Sequence, residues 1–183
     1  MTTSSTTLGY AILGLIHEQP QSGYNLRKVF ASTPMGHYSS SPGAIYPALR
    51  RLEEQGLIFG RVDRSKSLRP KQIFRPTVAG SRALEEWLTR PVTGDDVIWK
   101  MDELMLRFAF HSFLESDEAT RSFLTSFIAE LDAYVRALER QRKDLPDEVT
   151  RHGKLAIESG IESYRAHTRW ARRALKEFSR RAR

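Results

Sequence analysis

Between Ser41 and Pro76 the chain changes its hydrophobic period, and the change leaves few arrangements open. Ser41-Pro42 reads as a helix start: a capping residue, then proline at the first helical position, where its missing N–H costs nothing. Ile45, Leu49 and Leu52 recur at helical spacing to about Gln55, and Gly56 is the residue type that ends such a helix. The pattern then shortens. Leu57 to Val62 reads as a strand, Asp63 to Lys71 as a polar tip, and Gln72 to Arg75 as the returning strand. A helix running straight into a hairpin has an apolar side that other helices must cover.

Those helices are legible on either side. Leu8, Ile12, Leu13, Leu15 and Ile16 mark a first helix, capped by Thr6 or Thr7 and ending over Glu18 to Gln21. Ser22 caps a second, with Tyr24, Leu26, Val29 and Phe30 as its apolar set; Ser32 to Ser40 is a loop. Thr77 caps a fourth helix to about Thr89, with Ala83, Leu84, Trp87 and Leu88 inside. Three helices, a two-stranded hairpin and a further helix are the order of a winged helix-turn-helix domain.

Charge divides the chain. The 183 residues carry a net charge of +7. Residues 1–91 contribute +6, residues 92–164 contribute −6 and residues 165–183 contribute +7. The first change of sign falls on turn chemistry, Pro91-Val92-Thr93-Gly94-Asp95-Asp96. We therefore expect a first domain over 1–91 and a second over 95–183. The fold class expected is mainly α, with a small β-hairpin wing and a C-terminal helical dimerisation domain. With 40% hydrophobic residues there is enough apolar material for a core. The absence of cysteine excludes a disulfide scaffold, a thiolate metal site and a thiol nucleophile. The longest apolar run, Leu8 to Ile16, is far short of a membrane span, and the start MTTSSTT lacks a basic signal region. The expectation is a soluble, cytoplasmic protein.

A basic first domain of this order points to double-stranded DNA, because an α-helix fits the major groove and its N-terminal residues reach base edges and phosphates. The candidate recognition helix opens with Ser39, Ser40, Ser41, Gly43, Tyr46 and Pro47, and carries Arg50 and Arg51 further on. Small residues allow close backbone approach; the Tyr46 hydroxyl can bond a phosphate, although a half-buried packing role fits Tyr46 equally. Phe59 to Pro76 holds Arg61, Arg64, Lys66, Arg69, Lys71 and Arg75 against Asp63 alone. A cationic flap beside a recognition helix suits backbone contact, while a merely solvated face would look the same.

Ser41 to Ile58, SPGAIYPALRRLEEQGLI, resembles the signature of the PadR family of bacterial transcriptional regulators. LGYAILGLI (8–16) and SGYNLRKVF (22–30) resemble that family's first two helices in order. The resemblance covers about residues 8–90 and implies a homodimeric winged-helix repressor with Ser41, Gly43, Ala44, Tyr46, Pro47 and Arg50 at the DNA surface. Several members of that family release DNA on binding phenolic acids or other planar aromatics, while others have no known effector, so the resemblance leaves release by a small aromatic open. Two departures stand out. Tyr38 occupies the place of a common tryptophan, and Pro76-Thr77 replaces a Leu-Thr pair, so the wing is expected to be shortened or re-angled.

Beyond Asp95 the pattern is helical. Asp102 to Leu114 reads as one helix with Leu104, Leu106, Phe108, Phe110 and Phe113 nearly all round. Ser116 caps the next, to about Arg142, with Leu124, Phe127, Ile128, Leu131, Tyr134, Val135 and Leu138 as its stripe. The last carries Ile157, Ile161, Tyr164, Thr168, Ala171, Leu175 and Phe178 in a heptad-type seam. A second subunit, giving a homodimer on a two-fold DNA site, or an intramolecular antiparallel pair would cover it. Trp87, Trp99, Phe108, Phe110 and Trp170 are candidates for an aromatic effector pocket, or simply core. Asp102, Glu103, His111, His152 and His167 form no recognised catalytic or metal motif, so neither an enzyme nor a cofactor or metal site is expected. The alternative function is an interaction protein whose basic C-terminal helix engages an anionic protein or membrane.

Overall fold

Hydroxyl side chains set where most of the helices begin. Thr6 accepts from the Gly9 N–H and starts α1 (Thr7–Glu18); Ser22 accepts from the Asn25 N–H and starts α2 (Gly23–Ser32). Ser41, with extended backbone, precedes α3 (Pro42–Glu54), and Ser116 caps α7 (Asp117–Lys143). The computed structural model describes residues 5–38, 41–63 and 71–180, and the chain divides into two compact units, Met1–Leu88 and Thr89–Arg183.

The first unit joins α1 to α3 with a small sheet and α4 (Val78–Thr89). The sheet has three strands, where the sequence predicts two: β1 (Gln21–Ser22) pairs antiparallel with β3 (Lys71–Pro76), which also pairs with β2 (Ile58–Asp63). β3 is therefore central. Pro76 does not shorten this ladder. It closes the last pair, opposite Ile58, and pairing continues as the Thr77 N–H donates to the Leu57 carbonyl at 3.0 Å. The Thr77 hydroxyl donates to the Gly56 carbonyl at 2.6 Å and accepts from the Gly80 N–H at 3.0 Å, so one residue caps α4 and ties it to the turn after α3. Gly56 makes that turn at φ +68, a region that favours glycine. Ile12, Leu13, Ile16, Leu26, Phe30, Ile45, Leu49, Leu52 and Leu84 form the core, and Tyr10 stacks on Trp87 with ring centroids 4.7 Å apart.

Two local readings need correction in this unit. Tyr24 is not in the core set of α2; it is 46% exposed, while Leu26 and Phe30 are buried. The loop after α2 contains a 3-10 turn, Pro34–His37, whose start Thr33 caps through the Met35 N–H.

The second unit begins with α5 (Gly94–Trp99), a short helix that starts within the turn chemistry and continues into the helical pattern read from Asp95. Thr93 and Asp96 form a reciprocal capping box: the Asp96 N–H donates to the Thr93 hydroxyl and the Thr93 N–H to the Asp96 carboxylate. Burial pushes the Asp96 carboxyl up. The Thr93 hydrogen bonds and the charges of Arg90 and Lys100 outweigh that and hold it below its ordinary value. The predicted single helix over 102–114 is broken. α6 (Met101–Ala109) ends at Phe110, whose N–H is shared between the Leu106 and Arg107 carbonyls, and a 3-10 turn (His111–Leu114) follows. Glu115, at φ 47, then redirects the chain into α7.

α7 and α8 (Arg151–Arg180) pack as an antiparallel pair. Arg121 donates to the Phe178 carbonyl, Arg172 pairs with Asp132, and Arg165 pairs with Glu139, in reverse order along the two helices. The heptad-type seam of α8 is thus covered within its own chain: Ile161, Thr168 and Ala171 are buried, and Tyr164 meets Tyr134 edge-on at 4.8 Å. Among the described residues no helix is long and apolar enough to cross a membrane.

Candidate nucleic-acid interface

The pattern that buries one side of α3 exposes the other. Ile45, Ala48, Leu49 and Leu52 face the core, which turns Gly43, Tyr46, Pro47 and Arg50 into one exposed stripe, all within a helical turn or two of the start. Ser41 and Pro42 are exposed at the end of the same helix, and Ala44 is half-buried beside the stripe. Pro47 has no N–H to offer the Gly43 carbonyl, and its ring crowds that residue, where a glycine yields most readily. Ser39 and Ser40 lie outside the described residues.

Tyr46 packs and is exposed at once. Its ring lies over Gly23 at the start of α2, so closely that a Cβ on Gly23 would stand 2.6 Å from Tyr46 Cε1, yet the residue remains 47% exposed. Gly23→Ala is therefore expected to push the Tyr46 ring aside while altering stability by less than about 1 kcal/mol, since alanine also favours the helix. Urea denaturation checks the second part, and the loss of any Tyr46-dependent binding checks the first.

In the wing, the strand register sorts the charges. Phe59 stands opposite Arg75, Arg61 opposite Ile73 and Asp63 opposite Lys71, so these six side chains share one face. Arg61, Lys71 and Arg75 are all exposed on it, and the Arg61 guanidinium lies 5.6 Å from the centre of the Phe59 ring. Arg64, Lys66 and Arg69 lie outside the described residues. The opposite face carries the buried Ile58 and Phe74.

The sequence reading passed over Glu53, which joins the two elements. Its carboxylate accepts from the Gly60 N–H at 2.8 Å and from Gln72 Nε2 at 3.5 Å, so the last turn of α3 is bonded to both wing strands. An acidic residue just before a helix-ending glycine was the signal available.

Helix ends in the two units contrast, α8 apart, since its first turn also holds no acidic residue. No acidic residue lies in the first turn of α1, α2, α3 or α4. In the second unit α5, α6 and α7 begin with Asp95 and Asp96, Asp102 and Glu103, and Asp117 and Glu118. Helix N-termini carry partial positive charge that acidic residues normally offset. The first unit leaves those ends without such compensation.

A sequence profile described as the PadR-like family of transcriptional regulators matches residues 12–86, which include α3, its exposed stripe and both wing strands. Over these residues the chain is similar to the PadR-like family. Residues 101–179 match a second profile, the C-terminal domain of virulence activator alpha. The negative transcriptional regulator PadR of Bacillus subtilis (strain 168) is 32% identical over 116 residues, 63% of each chain. The transcriptional regulator YqjI of Escherichia coli (strain K12) is 38% identical over 79 residues, which are 43% of this chain and 36% of that one. This chain thus spans less than two thirds of the length of these curated relatives. A crystal structure of Bacillus subtilis PadR in complex with operator DNA aligns over 94% of this chain and 99% of that one, at 25% identity and a TM-score of 0.43. PadR-like proteins are non-enzymatic regulators.

The aromatic candidates fall in both units. Trp87 is buried in the first unit against Tyr10. In the second unit Phe108 and Trp170 meet edge-on at 4.9 Å, Phe110 is buried, and Trp99 is 80% exposed.

Proposed function

We propose that the chain is a double-stranded-DNA-binding transcriptional regulator, acting as a homodimeric repressor. The observation that carries this reading is the exposed stripe Gly43, Tyr46, Pro47 and Arg50 on α3 together with the exposed wing cations Arg61, Lys71 and Arg75, with Glu53 bonding helix to wing. A helix of this kind enters the major groove, and the wing cations take the flanking backbone. Ser41 and Ala44 lie at the edge of the same surface; Ser39, Ser40, Arg64, Lys66 and Arg69 extend it by sequence. The repressor sense follows the negative regulator of Bacillus subtilis to which the chain is similar. A cytoplasmic location follows from a genomic target.

The dimer reading rests on the second unit, where Trp99 and Leu155 are large exposed apolar residues. Trp99 is also the member of the aromatic set open to a planar effector. The bilayer alternative loses support because the apolar seam of α8 already packs on α7.

Selection of binding sites from random duplexes, followed by titration, tests the proposal. Arg50→Ala is expected to cost about 1–3 kcal/mol and to relax preference at one base position, whereas Lys71→Ala weakens binding equally on all sequences. If each subunit neutralises about four phosphates, the log–log salt slope of the dimer is about −7. A salt-independent interaction with duplex DNA would overturn the reading.

A further inference from the structure

A cavity of about 140 Å³ lies within the first unit, between the start of α1 and the second half of α3. Buried Gly9 of α1 and buried Ala48 and Leu52 of α3 give it an apolar floor. Its two walls are joined where the Ser5 hydroxyl donates to the Gln55 side-chain oxygen at 3.3 Å. The polar groups around the floor are left with donors and no acceptor to meet them. Gln55 spends its oxygen on Ser5 and keeps its NH₂. The Thr6 hydroxyl accepts from the Gly9 N–H at 3.2 Å and keeps its own proton to donate. Arg51 is exposed and takes part in no ion pair among the described residues. No acidic residue lines the cavity.

One cation, spare donors and an apolar floor suit an anion that carries a hydrocarbon tail. A carboxylate offers a guanidinium two oxygens in the bidentate geometry it prefers. Size and lining set the tail. A cavity of roughly 150 Å³ takes a molecule the size of benzene, so a carboxylate with about three or four further carbons fills this one. No aromatic ring lines it, so an aromatic tail finds nothing to stack on and an aliphatic one loses nothing.

We infer that this cavity is a binding site for a short-chain aliphatic carboxylate. Arg51 holds the carboxylate, Thr6 and Gln55 donate to its remaining lone pairs, and the tail lies on Gly9, Ala48 and Leu52. The site is built from the start of α1 and from α3 alone. It therefore stands or falls apart from the DNA-binding reading, and apart from the aromatic set of the second unit.

Amide NMR spectra of the full chain, titrated with valerate, acetate and valeramide, test it. Valerate is expected to shift the Gly9, Leu52 and Gln55 amides saturably, with a Kd of about 1 mM, as suits a ligand of so few atoms. Acetate, which lacks the tail, and valeramide, which lacks the charge, are each expected to bind at least about tenfold more weakly. Arg51→Gln removes the cation on an exposed position and is expected to weaken valerate by about tenfold or more. Gly9→Ala keeps every charge and sets a methyl 3.2 Å from Ser5 Cβ, inside the site. It is expected to weaken valerate by a similar factor, while alanine favours the helix and the spectrum itself reports that the variant is folded. Valerate that moves none of these amides overturns the inference. Acetate or valeramide binding as tightly as valerate also overturns it, since tail or charge would then be idle. Unchanged valerate binding in Arg51→Gln or Gly9→Ala places the ligand elsewhere and overturns it too.

Discussion

Gly80→Ala is expected to destabilise the first unit by about 3 kcal/mol or more. A Cβ at Gly80 would stand 1.9 Å from the Leu57 carbonyl oxygen and 2.9 Å from its carbon, and both are backbone atoms. Leu57 has little freedom to withdraw. Its N–H donates to the Leu52 carbonyl at 2.9 Å and its carbonyl accepts from Thr77 at 3.0 Å. The substitution thus forces apart the start of α4 and the segment joining α3 to the wing, where the Thr77 hydroxyl bonds both sides. Alanine gains up to about 1 kcal/mol over glycine in a helix, which is too little to compensate. Urea denaturation followed by tryptophan fluorescence gives the number, since Trp87 sits buried in this unit. An increase in stability would mean that the close approach at Leu57 is absent.

The second large effect is at Arg107, a fully buried cation. Its guanidinium donates to the Arg90 carbonyl and lies 5.1 Å from the centre of the Phe123 ring. Burial pushes its pKa down to about 10; Arg90 adds repulsion, and Asp96 and Glu103 partly offset both. Arg107→Ala removes the bond and opens a cavity against Phe123, with an expected cost of about 3–5 kcal/mol. Arg107→Met fills the space without the charge and leaves Asp96 with Arg90 and Lys100, and Glu103 with Arg90, so its cost is expected to be about 1–2 kcal/mol. The pH dependence has a defined sign. As pH rises towards 10 the folded chain sheds the Arg107 proton while the unfolded chain keeps it, so the site gains stability with pH. The difference between wild type and Arg107→Met should therefore widen in favour of the wild type from pH 8 to 10. Chemical denaturation across that range checks it, and equal losses for alanine and methionine would assign the effect to the hydrogen bond alone.

Neither residue stands out in the sequence, and the reasons differ. Gly80 follows Thr77 in an ordinary helix start, and only the return of the chain brings Leu57 beneath it. Arg107 lies in a run of Leu104, Leu106 and Phe110, where a single cation reads as the solvent side. The charges of the buried Asp96 and the partly exposed Glu103 partly offset its burial, and spacing along the chain does not reveal that they converge. Elements with local signals were legible: the Thr6, Ser22, Thr77 and Ser116 starts, the proline that opens α3 and the glycine that closes it. β1 was not, because two residues make no period and their partners, Phe74 and Ile73, come some fifty residues later. Tyr24 fits an apolar stripe by position alone; only its hydroxyl and its cationic neighbours mark it as exposed. The seam of α8 was read correctly as a buried face, but a heptad says that a face is covered and not which chain covers it. At the candidate interface, Arg50 and the wing cations are proposed from residue type, whereas Glu53 and Gly23 make contacts that only the fold creates.

Glu53 has a mechanical consequence. Because its carboxylate bonds to Gly60 and Gln72, the helix end and both strands of the wing move as one piece. The span from the Arg50 stripe to the Arg61, Lys71 and Arg75 face is then a fixed calliper, not two arms set independently. On the proposed DNA-binding reading, a duplex has to match that span as it stands, so groove width and local bend at the site enter recognition alongside the bases themselves.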